Sequence, residues 1–449
     1  MLIVLCLNHF MPQHTAGTEV YTLALGKSLK EKGHEVFIVI PNYNSIVDDE
    51  YVYEGLTVKR YAEPNTIDKV LTRGKRPPDG IGAFEKLIKD IQPHIVHVQE
   101  LAGSSGIGIY HLRLLKRMNI KVIFTMHLAR YSCFTGTFMF KGDESCAGII
   151  DIKRCSECAL SRYPINSFLQ KTLYNSSVSL YNVRINTGNI NHAAGTALSF
   201  PFIMRDFKNS LFEAVDLCER VIILSDWYKK VLLANGVPEH KLHLVKQALP
   251  LGKTVKPVAR QNDNEQIRLL FIGRIYPQKG IHLLLSAIDT LDENKIMLDI
   301  YGAVTNDAYT SSLKNKTGEK KNISWKGSVG QEEVINTISR YDALVLPSVS
   351  SEMSPLVIQE AFAAGVPVIG SDIAGIAEQI EDGKNGLLFK FSDDQSLKEV
   401  FFRLINNPLY LKDLKRNIIP PADFETVAEK VLQIYGDALS PVSSISYTG

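Results

Sequence analysis

Two glutamates near the C-terminal end of the chain, Glu352 and Glu360, bracket the run Met353-Ser354-Pro355-Leu356-Val357-Ile358-Gln359, which opens a helix that Pro367 closes after Gly365. The spacing is a little over two helical turns, so one carboxylate sits in the loop and the other a few residues into the helix, both reaching the same side. A helix start carries free N–H groups and partial positive charge, which attract phosphate rather than lone acids. The carboxylates are then suited to accepting hydrogen bonds from sugar hydroxyls, and the combination fits a sugar nucleotide. Capping and solubility are the plainer use of acids at an amphipathic helix start, so the neighbours decide. Upstream, Ile267-Arg268-Leu269-Leu270-Phe271-Ile272 predicts a buried strand, followed by Gly273-Arg274-Ile275-Tyr276-Pro277-Gln278-Lys279-Gly280 and an apolar helix. Arg274 and Lys279 suit a diphosphate, and Gly273 and Gly280 permit close backbone approach.

When a sugar leaves a nucleoside diphosphate, negative charge grows on phosphate and positive charge on the sugar ring. Arg274 and Lys279 would meet the leaving group, helped by backbone N–H groups around Met353, Ser354, Leu356 and Val357; Pro355 has none to give. No Asp-x-Asp element occurs, so the usual carboxylate seat for a catalytic Mg²⁺ or Mn²⁺ is missing and metal-independent chemistry is expected.

The elements that must position these residues alternate between strand-like and helical runs, the pattern of α/β domains with parallel sheets. Strands are expected at 2–7, 35–40, 95–98, 121–125 and 220–224, and again at 268–272, 295–301, 322–326, 343–347, 366–370 and 386–389. At 449 residues and 45% hydrophobic content the chain exceeds a typical single domain. Two doubly wound domains facing across a cleft are expected: residues 1–250, residues 265–420, and a C-terminal segment 421–449 made of a helix and a tail, with a polar linker at 252–265. A net charge of +2 with 22% charged residues argues against nucleic acid as the main partner. No apolar run approaches the length needed to span a membrane and the first strand is too short for a signal core, so a cytoplasmic protein, soluble or peripheral to a membrane, is expected. A dinucleotide-binding reading fails because neither domain's first strand is followed by Gly-x-Gly-x-x-Gly; Gly103-Ser104-Ser105-Gly106-Ile107-Gly108 is wrongly spaced and wrongly placed.

Gly273-Arg274 with Lys279-Gly280, the Glu352 to Glu360 motif, Gly365-Val366-Pro367-Val368-Ile369, the stretch from Ser371 to Glu378 and that from Asp382 to Phe389 resemble retaining glycosyltransferases of family four, which have the GT-B fold of two Rossmann-like domains. In the N-terminal half the match is Ala16-Gly17-Thr18-Glu19 and Thr125-Met126-His127. The resemblance implies that domain 1–250 binds the acceptor and domain 265–420 the nucleotide sugar, and that the C-terminal helix crosses back to the first. It implies Glu360 on the ribose hydroxyls, Glu352 on the donor sugar's hydroxyls and His127 facing that sugar. Retention at the anomeric carbon, a glycan or lipid-linked acceptor and a setting in bacterial surface polysaccharide assembly at the inner face of the membrane follow from the same resemblance. Gly17 would let backbone approach donor phosphate or acceptor, although Ala16 stands where the family often has a first glycine. Glu19 either caps its helix or serves the site, and His127 has a structural reading beside the functional one.

Cys133, Cys146, Cys155 and Cys158 fall in an insertion at about 130–200, and Cys155-Ser156-Glu157-Cys158 has the gap of a metal knuckle. Four thiols suggest structural zinc, or an iron–sulfur cluster, against buried free thiols; Cys6 and Cys218 read as core. Phe134, Phe138, Met139 and Phe140, with Phe200, Phe202, Ile203 and Met204, are expected in loop-like segments that line an acceptor site, touch a membrane or simply pack. Residues 165–197, rich in Asn, Ser, Thr and Gly, read as a mobile surface excursion. Two rival functions stay open: a sugar-nucleotide epimerase or hydrolase of the same architecture, and a non-catalytic sugar-nucleotide-binding protein.

Overall fold

A computed structural model describes the chain apart from residues 65–73, 75, 103–105, 189, 191, 250–265, 304–306, 319 and 441–449. The expected linker at 252–265 and the tail lie outside the described residues. The chain divides into two compact units, one formed by Met1–Lys246 with the chain from Phe424 onward, the other by Gln247–Asp423.

The first unit is built on β1 (Leu2–Cys6), β2 (Glu35–Tyr43), β3 (Asp49–Tyr53), β4 (Leu56–Glu63), β5 (Ile95–Val98), β6 (Lys121–Met126), a small hairpin β7 (Met139–Phe140) and β8 (Glu144–Ser145), β9 (Arg220–Ile223) and β10 (Leu242–Leu244). Its main sheet has the order β10-β9-β6-β5-β1-β2-β4-β3, with only β3 antiparallel to its neighbour. Central strands buried on both faces read as unbroken apolar runs, which is why Ile3, Val4, Leu5, Ile95 and Val96 are fully enclosed. The hairpin β3–β4 was not legible that way. It forms the edge of the sheet, its strands carry Asp49, Glu50, Lys59 and Arg60, and its turn places Glu54 and Gly55 at φ 45° and 81°.

The segment expected as an irregular excursion is helical instead. Helix Ser167–Asn182 starts where Asn166 accepts a hydrogen bond from the Leu169 N–H, and a shorter helix spans Ala193–Leu198. Its many Ser and Asn residues hid an inward row: Leu173 and Tyr174 pack on a core of Ala159, Leu160, Ala197, Phe200 and Met204. Phe200 to Met204 are likewise in no loop; they open the helix Phe200–Leu217, where Phe200, Phe202 and Met204 are buried. Packing is the role the structure gives them.

The C-terminal helix Phe424–Leu439 packs within this first unit. Phe424 meets the Tyr21 ring edge-on at 5.2 Å, and Tyr435 Oη lies 2.6 Å from His97 Nδ1, while His97 Nε2 lies 2.7 Å from Thr125 Oγ1. Burial holds His97 down to about 3, with His127 adding to the shift, so this buried link is made by a neutral imidazole.

The second unit contains β11 (Ile267–Ile272), β12 (Ile296–Tyr301), β13 (Ile323–Gly327), β14 (Ala343–Leu346), β15 (Val368–Ser371) and β16 (Gly386–Phe389) in the order β13-β12-β11-β14-β15-β16. All the pairings are parallel. The strand order reverses between β11 and β14, and in open sheets of this kind ligands bind beyond the carboxyl ends of the strands at that reversal. β11 runs out into Gly273–Gly280 and β14 into Pro347–Glu352, so the topology alone brings the two sequence motifs side by side.

Candidate functional site

In the second unit, Lys279 Nζ lies 2.7 and 2.8 Å from the two oxygens of Glu352, and Ser348 Oγ donates to Oε1 at 2.6 Å. The Lys279 and Glu352 side chains are only 18% and 16% exposed. Burial by itself would push the Glu352 carboxyl up, but the Lys279 ammonium, the Ser348 hydroxyl and the Arg274 charge outweigh it and hold it below the usual range. Burial likewise opposes the Lys279 charge, and Glu352 more than restores it. The pair is therefore ionised. Lys279 ends a single 3-10 turn, Pro277–Lys279, and the loop after β14 is tied to that turn by the Val349 N–H donating to the Gln278 carbonyl at 2.9 Å.

Gly280 makes this approach possible. It adopts φ 69°, and a Cβ on it would run into the Pro347 carbonyl. Gly280→Ala is expected to cost about 2 kcal/mol or more through the left-handed backbone and the clash together, read as a lower Tm; an unchanged Tm would show that the loop has room. Gly302 is crowded as well, because the Gly273 carbonyl fills the place that a Cβ on it would take. Arg274 is exposed and lies 5.2 Å from the Tyr276 ring centroid, free of the Glu352 carboxylate's hydrogen-bond shell.

The predicted helix starts at Leu356 and ends at Ala363, with Pro355 as its N-cap residue and Gly365 at φ 67° just beyond. No side chain caps it. Ser354, Pro355, Leu356 and Val357 are half-buried at this start, and the first-turn N–H groups of Leu356 and Val357 have no acceptor within the helix. Glu352 lies in the preceding loop; Glu360, in the second turn, is 7% exposed and accepts from Gln331 Nε2 at 2.7 Å. Burial pushes its carboxyl up to about 7, against the opposing Gln331 hydrogen bond. Ser348 and Gln331 had no signal in the sequence, because both reach their partners through tertiary folding from separate loops.

In the first unit, Gly17 is the first residue of the helix Gly17–Glu31 rather than part of the loop before it. Glu19 is 2% exposed; its Oε1 lies 2.9 Å from His14 Nδ1, and its Oε2 has no partner among the described residues. Its carboxylate caps nothing that the structure shows. His127 follows β6, is 7% exposed, and has Nε2 3.0 Å from Gln99 Oε1, with the Tyr21 ring edge-on at 4.8 Å. Burial holds it down to about 3, a neutral ring at physiological pH.

Cys133, Cys146, Cys155 and Cys158 line one cavity of about 30 Å³, all as free thiols. Burial, and then the neighbouring thiols, push Cys155 up to about 11. Among the described residues no group of three His, Cys, Asp or Glu side chains stands at ligating positions. Cys6 and Cys218 are buried elsewhere in the core.

The model of glycosyl transferases group 1 matches residues 253–420, and that of glycosyltransferase family 4 matches residues 15–142. An uncharacterized 41.2 kDa protein in the cps region of Klebsiella pneumoniae is 31% identical over 186 residues, covering 40% of this chain and 50% of that protein. The chain's match spans about half the length of that curated relative. Among solved structures, sucrose-phosphate synthase from Thermosynechococcus elongatus superimposes with a TM-score of 0.66 at 16% identity, covering 97% of this chain and 98% of that one. Anabaena Alr3699/HepE in complex with UDP and glucose does so with a TM-score of 0.64 at 12% identity, over 97% and 99%. These likenesses show the GT-B fold. Two glycosyltransferase models matching in series, on a fold that glycosyltransferases share, establish that the chain belongs to the group 1 and family 4 glycosyltransferases.

Proposed function

We propose that the chain transfers a sugar from a nucleoside diphosphate donor to a hydroxyl of a glycan or lipid-linked acceptor, with retention at the anomeric carbon and without a catalytic metal ion. The observation that carries this reading is the Lys279–Glu352 ion pair, steadied by Ser348 and set beside the uncapped start of helix Leu356–Ala363. An ammonium has three protons, and two oxygens of Glu352 leave one for a donor phosphate. Lys279, Arg274 and the N–H groups of Leu356 and Val357 would take up the charge that grows on the leaving diphosphate. Glu360 would accept from the ribose hydroxyls and Glu352 from the hydroxyls of the donor sugar. His127, kept neutral by burial, would offer that sugar a hydrogen bond rather than a charge.

A carboxylate held below its usual range is a poor general base. That supports a front-face displacement: the acceptor O–H proton passes to an oxygen of the departing phosphate, the bond from the acceptor oxygen to the anomeric carbon forms, and the bond from that carbon to the phosphate oxygen breaks. Surface polysaccharide as the acceptor class rests on the family resemblance of the Glu352 to Glu360 motif and the cysteine insertion. A lipid-linked acceptor would bring the enzyme to the inner face of the membrane, and no described helix is long and apolar enough to cross one.

The test is proton NMR of reactions with UDP-, GDP-, ADP- and dTDP-sugars and candidate glycan acceptors, run with EDTA present. One donor is expected to turn over with its anomeric configuration preserved. An inverted product, or activity abolished by EDTA and restored by Mg²⁺, would contradict the mechanism.

A further inference from the structure

We infer that Cys133, Cys146, Cys155 and Cys158 bind one zinc ion, which fastens the loop leaving His127 to the helix Ile152–Leu160. The chain passes from His127 through the turn Ala129–Tyr131 to Cys133, folds the hairpin β7–β8, returns at Cys146, and enters that helix, where Cys155 and Cys158 stand three residues apart on one face. All four border the same cavity of about 30 Å³. Two cysteines with a two-residue gap on a helix, joined by two more from the loop before it, make up the four-thiolate set of a structural zinc site.

Backbone N–H groups reach two of the sulfurs, while the Cys155 and Cys158 thiols turn toward the Ile149 and Met139 carbonyls at 4.0 and 3.5 Å. The Phe138 N–H donates to Cys133 Sγ and the Lys141 N–H to Cys158 Sγ, each at 3.4 Å. These two donors are non-glycine residues in the left-handed region, at φ 52° and 55°. A side chain there is strained, and the strain falls on the two residues whose N–H groups point at sulfur. Such donors stabilise thiolates, and four thiolates around a divalent ion leave a surplus of two negative charges. Arg154 lines the same cavity and Lys141 stands beside Cys158, although each is also ion-paired, with Glu144 and Glu157 respectively.

As placed, the sulfurs ring the cavity, and no three of the chain's described ligand-type side chains already meet at bonding positions. Zinc, with Zn–S bonds of about 2.3 Å, has to draw them inward by rotation of short side chains. Four S–H protons are released and four Zn–S bonds form, with no change of oxidation state.

The experiment uses the full chain, purified reduced and without chelator, with metal content measured by mass spectrometry and accessible thiols counted with a chromogenic reagent. About one zinc per chain is expected, with the four thiols protected until a chelator is added, and with the zinc lost in Cys155→Ser and Cys158→Ser. Where those variants fail to fold, the wild-type chain refolded with cobalt should show thiolate-to-cobalt charge-transfer absorption. Metal-free protein that takes up no added zinc or cobalt and whose four thiols react at once would overturn the site, as would iron with acid-labile sulfide in its place. Donor binding by the second unit is measured separately, so either outcome leaves the transferase reading to its own test.

Discussion

Lys279→Ala is expected to lower kcat/KM by roughly a hundredfold, the loss of a charge-assisted bond of about 3 kcal/mol to the leaving diphosphate. It should also lower Tm. The substitution leaves the Glu352 carboxylate, 16% exposed, without its counter-ion, and removing one member of a buried pair typically costs about 3–5 kcal/mol. The two effects can be separated. The double variant Lys279→Met with Glu352→Gln removes both charges and should recover much of the stability while staying inactive. If Lys279→Ala turned over like wild type, the leaving-group role would be lost; if the double variant regained activity with stability, the pair would be structural only. Arg274→Ala should be milder, about tenfold, because its exposed guanidinium is screened by water.

Glu360→Gln should move stability and donor affinity in opposite directions. The folded carboxyl titrates at about 7 against an ordinary value of 4.5, so between those values the folded state binds the proton more tightly than the unfolded chain. Stability contributed by this group is therefore full below pH 4.5, falls as pH rises to 7, and stays low above it. A neutral glutamine avoids burying the charge and should raise stability at pH 8 by on the order of 3 kcal/mol. Donor binding has the reverse sign, since only the ionised carboxylate can accept from both ribose hydroxyls. Wild-type affinity should rise between pH 6 and 8, and Glu360→Gln should abolish that rise and bind about tenfold more weakly at pH 8. A pH-independent wild-type affinity, or a variant less stable at pH 8, would remove the ribose assignment or the buried charge respectively.

The fold was legible where strands are buried on both faces. Residues 269–272 and Gly386–Phe389 read as apolar runs because these stretches are packed on both faces. It was illegible at the sheet edge, where β3 and β4 carry charged pairs such as Arg60 with Asp49, and in Ser167–Asn182, where many Ser and Asn residues, with Phe168 and Leu169 exposed among them, masked the helical period. In the candidate site, Lys279 and Glu352 could be named from their motifs, but not that each is the other's counter-ion across 73 positions of chain. Ser348 and Gln331 were invisible for the same reason: their value lies in where β14 and the Gln331–Glu333 turn deliver them, and no local pattern records that.

The most direct measurement is calorimetric titration of UDP, GDP, ADP and dTDP into the wild-type chain, Lys279→Ala and Glu360→Gln at pH 8. Selective binding of one nucleoside diphosphate by the wild type, weakened about tenfold or more in both variants, is the predicted result. Binding of none of the four, or equal affinity in all three proteins, would contradict a donor site built on Lys279, Glu352 and Glu360.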